Sequence, residues 1–366
     1  TLPSSAEAGD QVILIDYART WGTNAITIDS NGLLFQGEED TYIVDYDTAG
    51  QALNLVYSGA TVGWTPSSDI VNALEPVAPT IQKAIFGYGK TSSDVSLTNL
   101  VNSSGVVATD VTGVGTARNN LAASSYGGDK AIFGYGRTST QVSMTNLVNN
   151  SGVVATDVSG VGTARQSLAA ASYGGDKAIF GYGTDSSLTN LVTNQGVVGN
   201  DVSGVGTARN DLAAASYGGD KAIFGYGYYY SGGVVNYSLT NKVSNSGVVA
   251  SDTTGVGTAR YLLAAAGYGG DKAIFGFGTT GSVTGLTNLV SNTGVVASNV
   301  SAVGTARKGL AAAGYGGDKA IFGYGTTGSL TAITNLVNNS GVVASDVSGV
   351  GTAREKPAAA GFSYAS

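Results

Sequence analysis

The sequence predicts an all-β protein: a small amino-terminal β-domain followed by a ring of repeated antiparallel sheets. Three observations predict this fold. One segment recurs six times along residues 83–366. Within each copy, short β-branched and aromatic runs alternate with Gly- and Asn-rich turns, and no window shows the spacing of an amphipathic helix. Hydrophobic residues make up 42% of the 366-residue chain, so a sizeable core can be buried despite the 56 glycines.

The repeat has two markers of nearly constant spacing. The segment Lys-Ala-Ile-Phe-Gly begins at Lys83, Lys130, Lys177, Lys221, Lys272 and Lys319. The segment Gly-Thr-Ala-Arg ends at Arg118, Arg165, Arg209, Arg260, Arg307 and Arg354. Successive markers are 44–51 residues apart, so six copies account for most of the chain.

Each copy contains four short strand patterns. In the third copy these are 168–173, 177–183, 188–192 and 197–198, the last continuing weakly through 202–206. Four strands in a repeat of this length are typical of one β-propeller blade. An open solenoid is the alternative, but it needs capping repeats at both ends.

The two ends of the repeat region favour closure of the ring. The first copy begins at Lys83 without an opening strand, and a surplus strand at 358–364 follows the last copy. The surplus strand can complete the first blade, which would leave no free sheet edge between the first and last blades. The sequence therefore predicts a six-bladed β-propeller over 83–366, closed by the carboxyl-terminal strand.

The copies resemble the kelch family of propellers. In that family an Arg precedes a small-residue strand, and the apolar strand that follows ends in a pair of glycines. The third copy has Arg165, Ala169-Ala170-Ala171, Ile179-Phe180 and Gly181-Tyr182-Gly183 in these places, with a Tyr between the glycines. It lacks the aromatic residues, Trp above all, of the last two kelch strands. The resemblance therefore supports the propeller architecture and says little about ancestry.

The first 64 residues predict a separate small β-domain. Short strands are expected around 12–16, 26–28, 42–44 and 53–57, and residues 65–82, with three prolines, are expected to be a linker that starts with a short helical turn. This region resembles small β-domains of bacteriophage tail fibres. The matching residues are Pro3, Gly9-Asp10, Val12, Asp16, Thr23-Asn24, Ile26-Thr27-Ile28, Asn31-Gly32, Val56-Tyr57 and Trp64. The resemblance implies assembly as a homotrimer and attachment to other tail or fibre proteins through the amino-terminal side.

Composition excludes several classes of function. The chain has no His and no Cys, which removes imidazole bases, thiolate nucleophiles and disulfides. Residues 1–82 carry 11 acidic groups and one basic group, and the remainder carries 14 acidic and 17 basic groups without a basic cluster. A nucleic-acid partner is therefore not expected, nor is membrane insertion, because no apolar run approaches the ~18 residues of a span. The chain opens at Thr1 rather than Met, which suggests a fragment or processed product.

Catalytic, metal and cofactor sites are not predicted. The repeated Gly-Tyr-Gly is followed by no helix that would make it a phosphate loop. No turn has the spaced carboxylates of a dedicated calcium site. Five of the six repeated arginines follow an Asp by eight positions, as Arg118 follows Asp110, and the two could pair within or between blades; Asn299 replaces the Asp before Arg307, so such a pair is dispensable in one blade.

The differences between the copies point to one end of the sheets. The turn after the first strand reads Tyr-Gly-Gly-Asp in five copies, whereas the loop after the second strand and the pair of residues after each Arg change in every copy. In an antiparallel blade these two variable segments share one face. The linker enters on the constant face, so the amino-terminal domain is expected to present the variable face outward.

Loops on a rigid scaffold commonly carry binding. The candidate receptor-binding residues on this face are Tyr228, Tyr229, Tyr230, Tyr237, Tyr261, Lys90, Arg137, Asp185 and Lys308. The tyrosines supply large amphipathic rings of the kind that binding surfaces use. Two other interpretations stay open: loops diverge where packing is slack, and the tyrosines could pack on a neighbouring blade or subunit.

The expected function is host attachment, not catalysis. The resemblance and the variable face together predict an extracellular, virion-borne tail-fibre protein that binds a host surface glycan or outer-membrane protein. The alternatives are a depolymerase that cuts host polysaccharide with two carboxylates, for which Asp94 and Asp185 are candidates, and a structural spacer whose loops bind nothing in particular.

Overall fold

The computed structural model describes residues 1–38, 44–67, 82–301 and 303–363. The chain divides into two compact units, Thr1–Ala78 and Pro79–Ser366. Within the described residues the secondary structure is entirely strands, bridges and turns, which confirms the all-β class. No helix among them has the length and apolar character needed to cross a membrane.

Residues 1–38 and 44–67 of the first unit contain five strands in two antiparallel sheets. The strands are β1 (Gln11–Ile15), β2 (Ile26–Ile28), β3 (Val44–Tyr46), β4 (Ala52–Tyr57) and β5 (Trp64–Pro66). The sheet orders are β1-β4-β5 and β2-β3. Alternate residues of β4 are buried, and they pack with both tryptophans of the chain in one core. The Tyr57 and Trp64 rings meet edge to face, with centroids 5.5 Å apart.

The sheet of the first unit continues past residue 64, where the small domain was predicted to end. Trp64–Pro66 forms β5, which pairs with the end of β4, and the Ser67 N–H donates to the Asn54 carbonyl at 2.8 Å. The first residues of the predicted linker therefore belong to a sheet, because cross-strand hydrogen bonds hold them there. The rest of that linker up to residue 81 lies outside the described residues, as do residues 42 and 43 of the predicted third strand.

The described residues of the second unit contain twenty strands. They are β6 (Lys83–Gly87), β7 (Thr98–Val101), β8 (Ala122–Tyr126), β9 (Lys130–Gly134), β10 (Thr145–Val148), β11 (Ala169–Tyr173), β12 (Lys177–Gly181), β13 (Thr189–Val192), β14 (Ala213–Tyr217), β15 (Lys221–Gly225), β16 (Tyr228–Tyr230), β17 (Val234–Asn236), β18 (Thr240–Val243), β19 (Ala264–Tyr268), β20 (Lys272–Gly276), β21 (Thr287–Val290), β22 (Ala311–Tyr315), β23 (Lys319–Gly323), β24 (Thr334–Val337) and β25 (Ala358–Phe362).

Eighteen of these strands form six antiparallel three-stranded sheets. In order from first to sixth, the sheets are β25-β6-β7, β8-β9-β10, β11-β12-β13, β14-β15-β18, β19-β20-β21 and β22-β23-β24. The carboxyl-terminal β25 pairs with β6, so that Ala358 lies opposite Gly87 and Phe362 opposite Lys83. The last strand of the chain thus completes the first sheet. The remaining strands, β16 and β17, form a separate hairpin.

The predicted fourth strand of each copy is only a bridged segment. In the third sheet, isolated bridges join Thr189 to Val202 and Val192 to Val198. Between these bridges the buried Asn190 amide donates to the Gly199 carbonyl at 3.1 Å and to the Asp201 carboxylate at 2.9 Å. The Asn190 side chain therefore takes a carbonyl that a regular ladder would pair. The weak fourth strand predicted for each copy is present only as two bridges to the third strand, not as a strand.

Neighbouring sheets pack through a Phe on one and a Gly on the next. The Phe180 ring of the third sheet covers Gly134 of the second, and a Cβ at Gly134 would lie only 2.7 Å from that ring. The same pairing recurs between the other neighbouring sheets, including Phe86 of the first sheet on Gly323 of the sixth. Each second strand is consequently buried on both faces, as in the pattern of β12.

The repeated arginines are structural. Arg118 is fully buried and donates to the Tyr135 carbonyl (2.9 Å), the Thr116 carbonyl (3.1 Å) and the Asn146 side chain (2.7 Å). Its guanidinium carbon lies 4.3 Å from the centre of the Tyr88 ring, which belongs to the first sheet. Each Arg therefore connects two sheets.

The pairing of each Arg with the Asp eight positions before it does not occur. Arg118 lies 3.9 Å from Asp157 of the following copy, and Asp110 lies 4.0 Å from Arg354. The bridged segment that carries each Asp runs back along the sheet that precedes it in the chain. The Arg before that sheet is therefore its neighbour, as Arg118 is for Asp157. Asn299 takes the equivalent position near Arg260, and it hydrogen bonds to Thr258 as Asp157 does to Thr116.

The first strands of the six sheets pack against one another in sequence. Their order is β8, β11, β14, β19, β22 and β25, and β25 also contacts β8. At the Tyr-Gly-Gly-Asp end, backbone hydrogen bonds join each sheet to the next. The Gly127 N–H donates to the Asp176 carbonyl at 2.6 Å, and the series ends with the Ser363 N–H donating to the Asp129 carbonyl at 2.7 Å.

Candidate functional site

The two variable segments pair through backbone bridges in five of the six copies, at one end of the sheets; in the third copy the Gln166 N–H donates to the Thr184 hydroxyl at 3.0 Å. Bridges join Asn119 to Arg137, and Lys308 to Thr326. We call this the variable end; it comprises the loops after the second strands and the residue pairs after each repeated Arg. The sequence differences between the copies therefore lie in segments that contact each other, at the ends of strands whose sequences repeat.

The fourth copy carries a hairpin at this end. The sequence predicted a loop there, but Tyr228–Tyr230 and Val234–Asn236 pair as antiparallel strands around a Ser-Gly-Gly turn. Gly232 in that turn has φ +71°, a conformation that glycine adopts without strain. We call residues 228–236 the tyrosine hairpin. Tyr230 is 61% exposed, and Val234 and Val235 are also exposed, so the hairpin presents a small apolar surface.

Two of the predicted tyrosines form a packed pair at the base of this hairpin. The Tyr228 and Tyr261 rings lie 4.9 Å apart at 58°. The backbones of Tyr228 and Asn210 exchange hydrogen bonds of 2.9 and 2.7 Å. Burial, together with the nearby Asp211 and Asp185 carboxylates, raises the pKa of Tyr228. Tyr228 thus has the packing role that the sequence left open, and it supports the exposed part of the hairpin.

The other predicted residues divide into two groups. Asp185 and Asn210 form two hydrogen bonds. The Asn210 amide NH2 donates to the Asp185 carboxylate at 2.6 Å, and the Asp185 backbone N–H donates to the Asn210 amide oxygen at 3.0 Å. Asn210 therefore links Asp185 to Tyr228, a role that sequence reasoning missed. Tyr229 lies within β16, and the N–H of Tyr237 donates to the Gly227 carbonyl at 2.8 Å, where the hairpin ends.

The predicted basic residues belong to other sheets. Lys90 pairs through its backbone with Glu355 in the first sheet. The backbone of Arg137 pairs with Asn119 in the second sheet, and that of Lys308 pairs with Thr326 in the sixth. The structure thus brings together the tyrosines and Asp185, and it places the three basic residues in separate sectors of the variable end.

The residue pairs after each Arg also build a depression that the sequence did not reveal. The first residue of each pair contacts a loop, whereas the second residues lie together around a bowl. These second residues are Asn120, Ser167, Asp211, Leu262, Gly309 and Lys356. The bowl has a volume of about 70 Å³, and its other lining residues are five leucines and Pro357, one after each second residue. The sequence signal was present, because six different residue types occupy this one repeat position.

The rim of the bowl is held by its backbone. All six second residues have φ between +48° and +61°. Successive residues are hydrogen bonded, from the Ser167 N–H to the Asn120 carbonyl (2.9 Å) as far as the Lys356 N–H to the Gly309 carbonyl (2.6 Å). Burial raises the pKa of Asp211, although the Ser167 hydrogen bond and the Lys356 charge act in the opposite direction. The bowl thus contains a carboxylate held in surroundings that disfavour its charge.

Metal ligation has no support in the part of the chain that the structure describes. Those residues include no group of three or more His, Cys, Asp or Glu side chains arranged to hold an ion. The chain matches no protein-family model, and none of the curated proteins compared with it is significantly similar in sequence.

Proposed function

We propose that residues 83–363 form a closed six-bladed β-propeller that acts as the receptor-binding part of a bacteriophage tail fibre. Closure is supported by three independent features. β25 completes the first sheet, Phe86 of the first sheet packs on Gly323 of the sixth, and the backbone hydrogen bonds at the Tyr-Gly-Gly-Asp end pass through all six sheets. A closed ring leaves no free edge between its first and last sheets, which suits a rigid scaffold for binding loops.

The observation that carries the binding function is the tyrosine hairpin at the variable end. Five copies of the loop after the second strand are short, whereas the fourth is lengthened into a hairpin with an exposed Tyr230 above the Tyr228–Tyr261 pair. Exposed aromatic rings on a supported loop bury large area at low entropic cost when they bind. The proposed ligand is a host surface glycan or an outer-membrane protein, bound without a chemical reaction.

The proposal also assigns a role to the first unit. Its resemblance to small tail-fibre β-domains supports attachment to other tail or fibre proteins, as a homotrimer on the virion, outside the cell. Three copies of the propeller would then raise a weak affinity at one site through effective concentration. The alternative functions are a depolymerase and an inert spacer, and the experiment below distinguishes both.

The test is binding of the labelled chain to a panel of Gram-negative cells and to an array of bacterial surface glycans. The variant replaces Tyr228, Tyr229 and Tyr230 with Ser, and a second variant carries Tyr230→Ser alone, which removes an exposed ring and little packing. Tyr17→Ser is the matched control, because Tyr17 is 95% exposed in the first unit. Circular dichroism checks that each variant is folded.

We expect the wild type and the Tyr17 control to bind, and both hairpin variants to lose most of the binding. Equal binding by folded hairpin variants would move the site elsewhere. Shortening of a glycan polymer during incubation would indicate the depolymerase. Absence of binding by every form would favour the spacer.

A further inference from the structure

We propose that the bowl at the variable end is a subsite for a single neutral sugar residue, bound by the Asp211 carboxylate and the Lys356 ammonium group. The inference rests on the proposed function, and it assigns a sugar subsite to that same surface. It uses residues that the receptor-binding proposal leaves out. Three features of the bowl carry it: its composition, its backbone conformation and its continuity with the tyrosine hairpin.

The composition of the bowl suits an uncharged, hydroxyl-rich ligand. Its rim carries one carboxylate and one ammonium group, so the rim has no net charge. Asn120 and Ser167 add an amide and a hydroxyl, both able to donate and to accept hydrogen bonds. The five leucines and Pro357 add apolar lining that the C–H face of a sugar ring can contact. A charged ligand would satisfy one of the two ionic groups and repel the other.

The backbone of the rim shows that side chains are retained there at a cost. Glycine at the sixth-sheet position, Gly309, has the same left-handed conformation as the other five residues, and a Cβ there would meet nothing closer than 3.5 Å. Glycine therefore satisfies the connection. Asn120 and Asp211 also tolerate this conformation, whereas Ser167, Leu262 and Lys356 have side chains that it disfavours. Leu262 and Lys356 are the least suited to it. Strained positions of this kind often occur at functional sites.

The bowl and the tyrosine hairpin are continuous. Asp211 directly follows Asn210, whose backbone pairs with Tyr228, and Leu262 directly follows Tyr261. The Asp211 carboxylate is near enough to Tyr228 to influence its hydroxyl. One glycan can therefore place a terminal residue in the bowl and extend over the aromatic pair. The size of the bowl, about 70 Å³, suits part of one sugar ring and not several rings.

Two substitutions test the bowl without disturbing the fold. Asp211→Asn removes the charge and keeps the shape, and Asn120 already has the same backbone conformation in the second sheet. Gly309→Asn fills the bowl with a side chain at a position where Asn tolerates the left-handed conformation. Glu355→Gln is the matched control, because it removes a carboxylate from the loop-contacting position of a pair.

The probes are D-glucose, D-galactose, D-mannose, N-acetyl-D-glucosamine and L-rhamnose, each at millimolar concentration with the full chain. Saturation-transfer NMR measures binding and titration gives the Kd. We expect at least one sugar to bind to the wild type and to the Glu355→Gln control. Asp211→Asn should raise the Kd for that sugar by about tenfold or more, the loss typical of a hydrogen bond to a charged group. Gly309→Asn should abolish it.

The inference is overturned if none of the five sugars binds, or if binding persists unchanged in both bowl variants. Cell adsorption separates this failure from failure of the proposed function. If the Tyr230→Ser variant loses adsorption while no sugar binds to the chain, the receptor-binding proposal stands and the bowl proposal falls. If a sugar binds in the bowl but the hairpin and bowl variants adsorb to cells as the wild type does, the bowl is a sugar site and the receptor-binding proposal falls.

Discussion

Replacing Arg118 with Met should destabilise the second unit strongly. Met keeps most of the apolar length of Arg but has no donor. The Asn146 and Tyr135 acceptors would lose a charged donor in a buried site, and the Thr116 carbonyl in a partly buried one. The contact of the guanidinium group with the Tyr88 ring in the neighbouring sheet would also be lost.

The expected loss of unfolding free energy is about 3–5 kcal/mol. Each acceptor left without its donor costs about 1–3 kcal/mol, and the cation–π contact adds about 1–2 kcal/mol. Removing the guanidinium charge offsets part of this sum, because burial disfavours that charge and lowers the pKa of Arg118. The net value matches the cost of removing one partner from a buried ionic network, about 3–5 kcal/mol.

Urea unfolding followed by two probes measures this loss. Both tryptophans, Trp21 and Trp64, lie in the first unit, so tryptophan fluorescence follows that unit. Far-ultraviolet circular dichroism follows mainly the second unit, which holds twenty of the 25 strands seen in the described part of the chain. We expect the dichroism transition to move to lower urea and the fluorescence transition to stay in place.

Asp157→Asn is the control for the ionic part of the contact. Its carboxylate is 31% exposed and 3.9 Å from Arg118, and the chain already uses Asn299 in this place. The expected loss is below about 1 kcal/mol. If Arg118→Met cost no more than this control, or shifted both transitions equally, the account of the arginines as connectors between sheets would be refuted.

Two further predictions concern single residues. Asp211→Asn should raise the Tm at neutral pH, because the raised carboxyl pKa means that the ionised form costs folding free energy. The gain in Tm should shrink as the pH falls through that raised pKa towards the unfolded value of about 3.9. The groups that face Asp211 are Lys356 and Tyr228. Measuring the Tm of both proteins across this pH range tests the direction of the change. Gly134→Ala should cost about 1–3 kcal/mol in the dichroism transition, since its Cβ would lie 2.7 Å from the Phe180 ring; an unchanged transition would mean that the sheets are not in close contact.

The strands of the repeat could be predicted from the sequence because their signals are local. Alternating apolar residues and Gly-rich turns mark each first, second and third strand within a few residues. The pairing of β25 with β6 was also predictable, because a surplus strand at one end and a missing strand at the other have only one simple solution. The fourth strand was overpredicted, because its valines resemble a strand while Asn190 and its equivalents take the hydrogen bonds.

The candidate site was predictable only in part. Differences between copies identified the variable segments and the tyrosines. They could not show that the first residue after each Arg contacts a loop whereas the second lines the bowl, because the two are adjacent in the chain. The hairpin was also missed, because Tyr-rich and Gly-rich stretches occur in loops and in strands alike.

The all-β class, the repeat and the first three strands of each copy follow from local sequence, since they depend on residues close together in the chain. Tertiary structure decided which Asp stands beside each Arg, and which residues of six separate copies surround the bowl. Arg118 and Asp157 are 39 positions apart, and the bowl residues Asn120 and Lys356 come from the second and first sheets. Such contacts arise only when the sheets pack side by side, because packing sets the distances between residues that the chain itself keeps far apart.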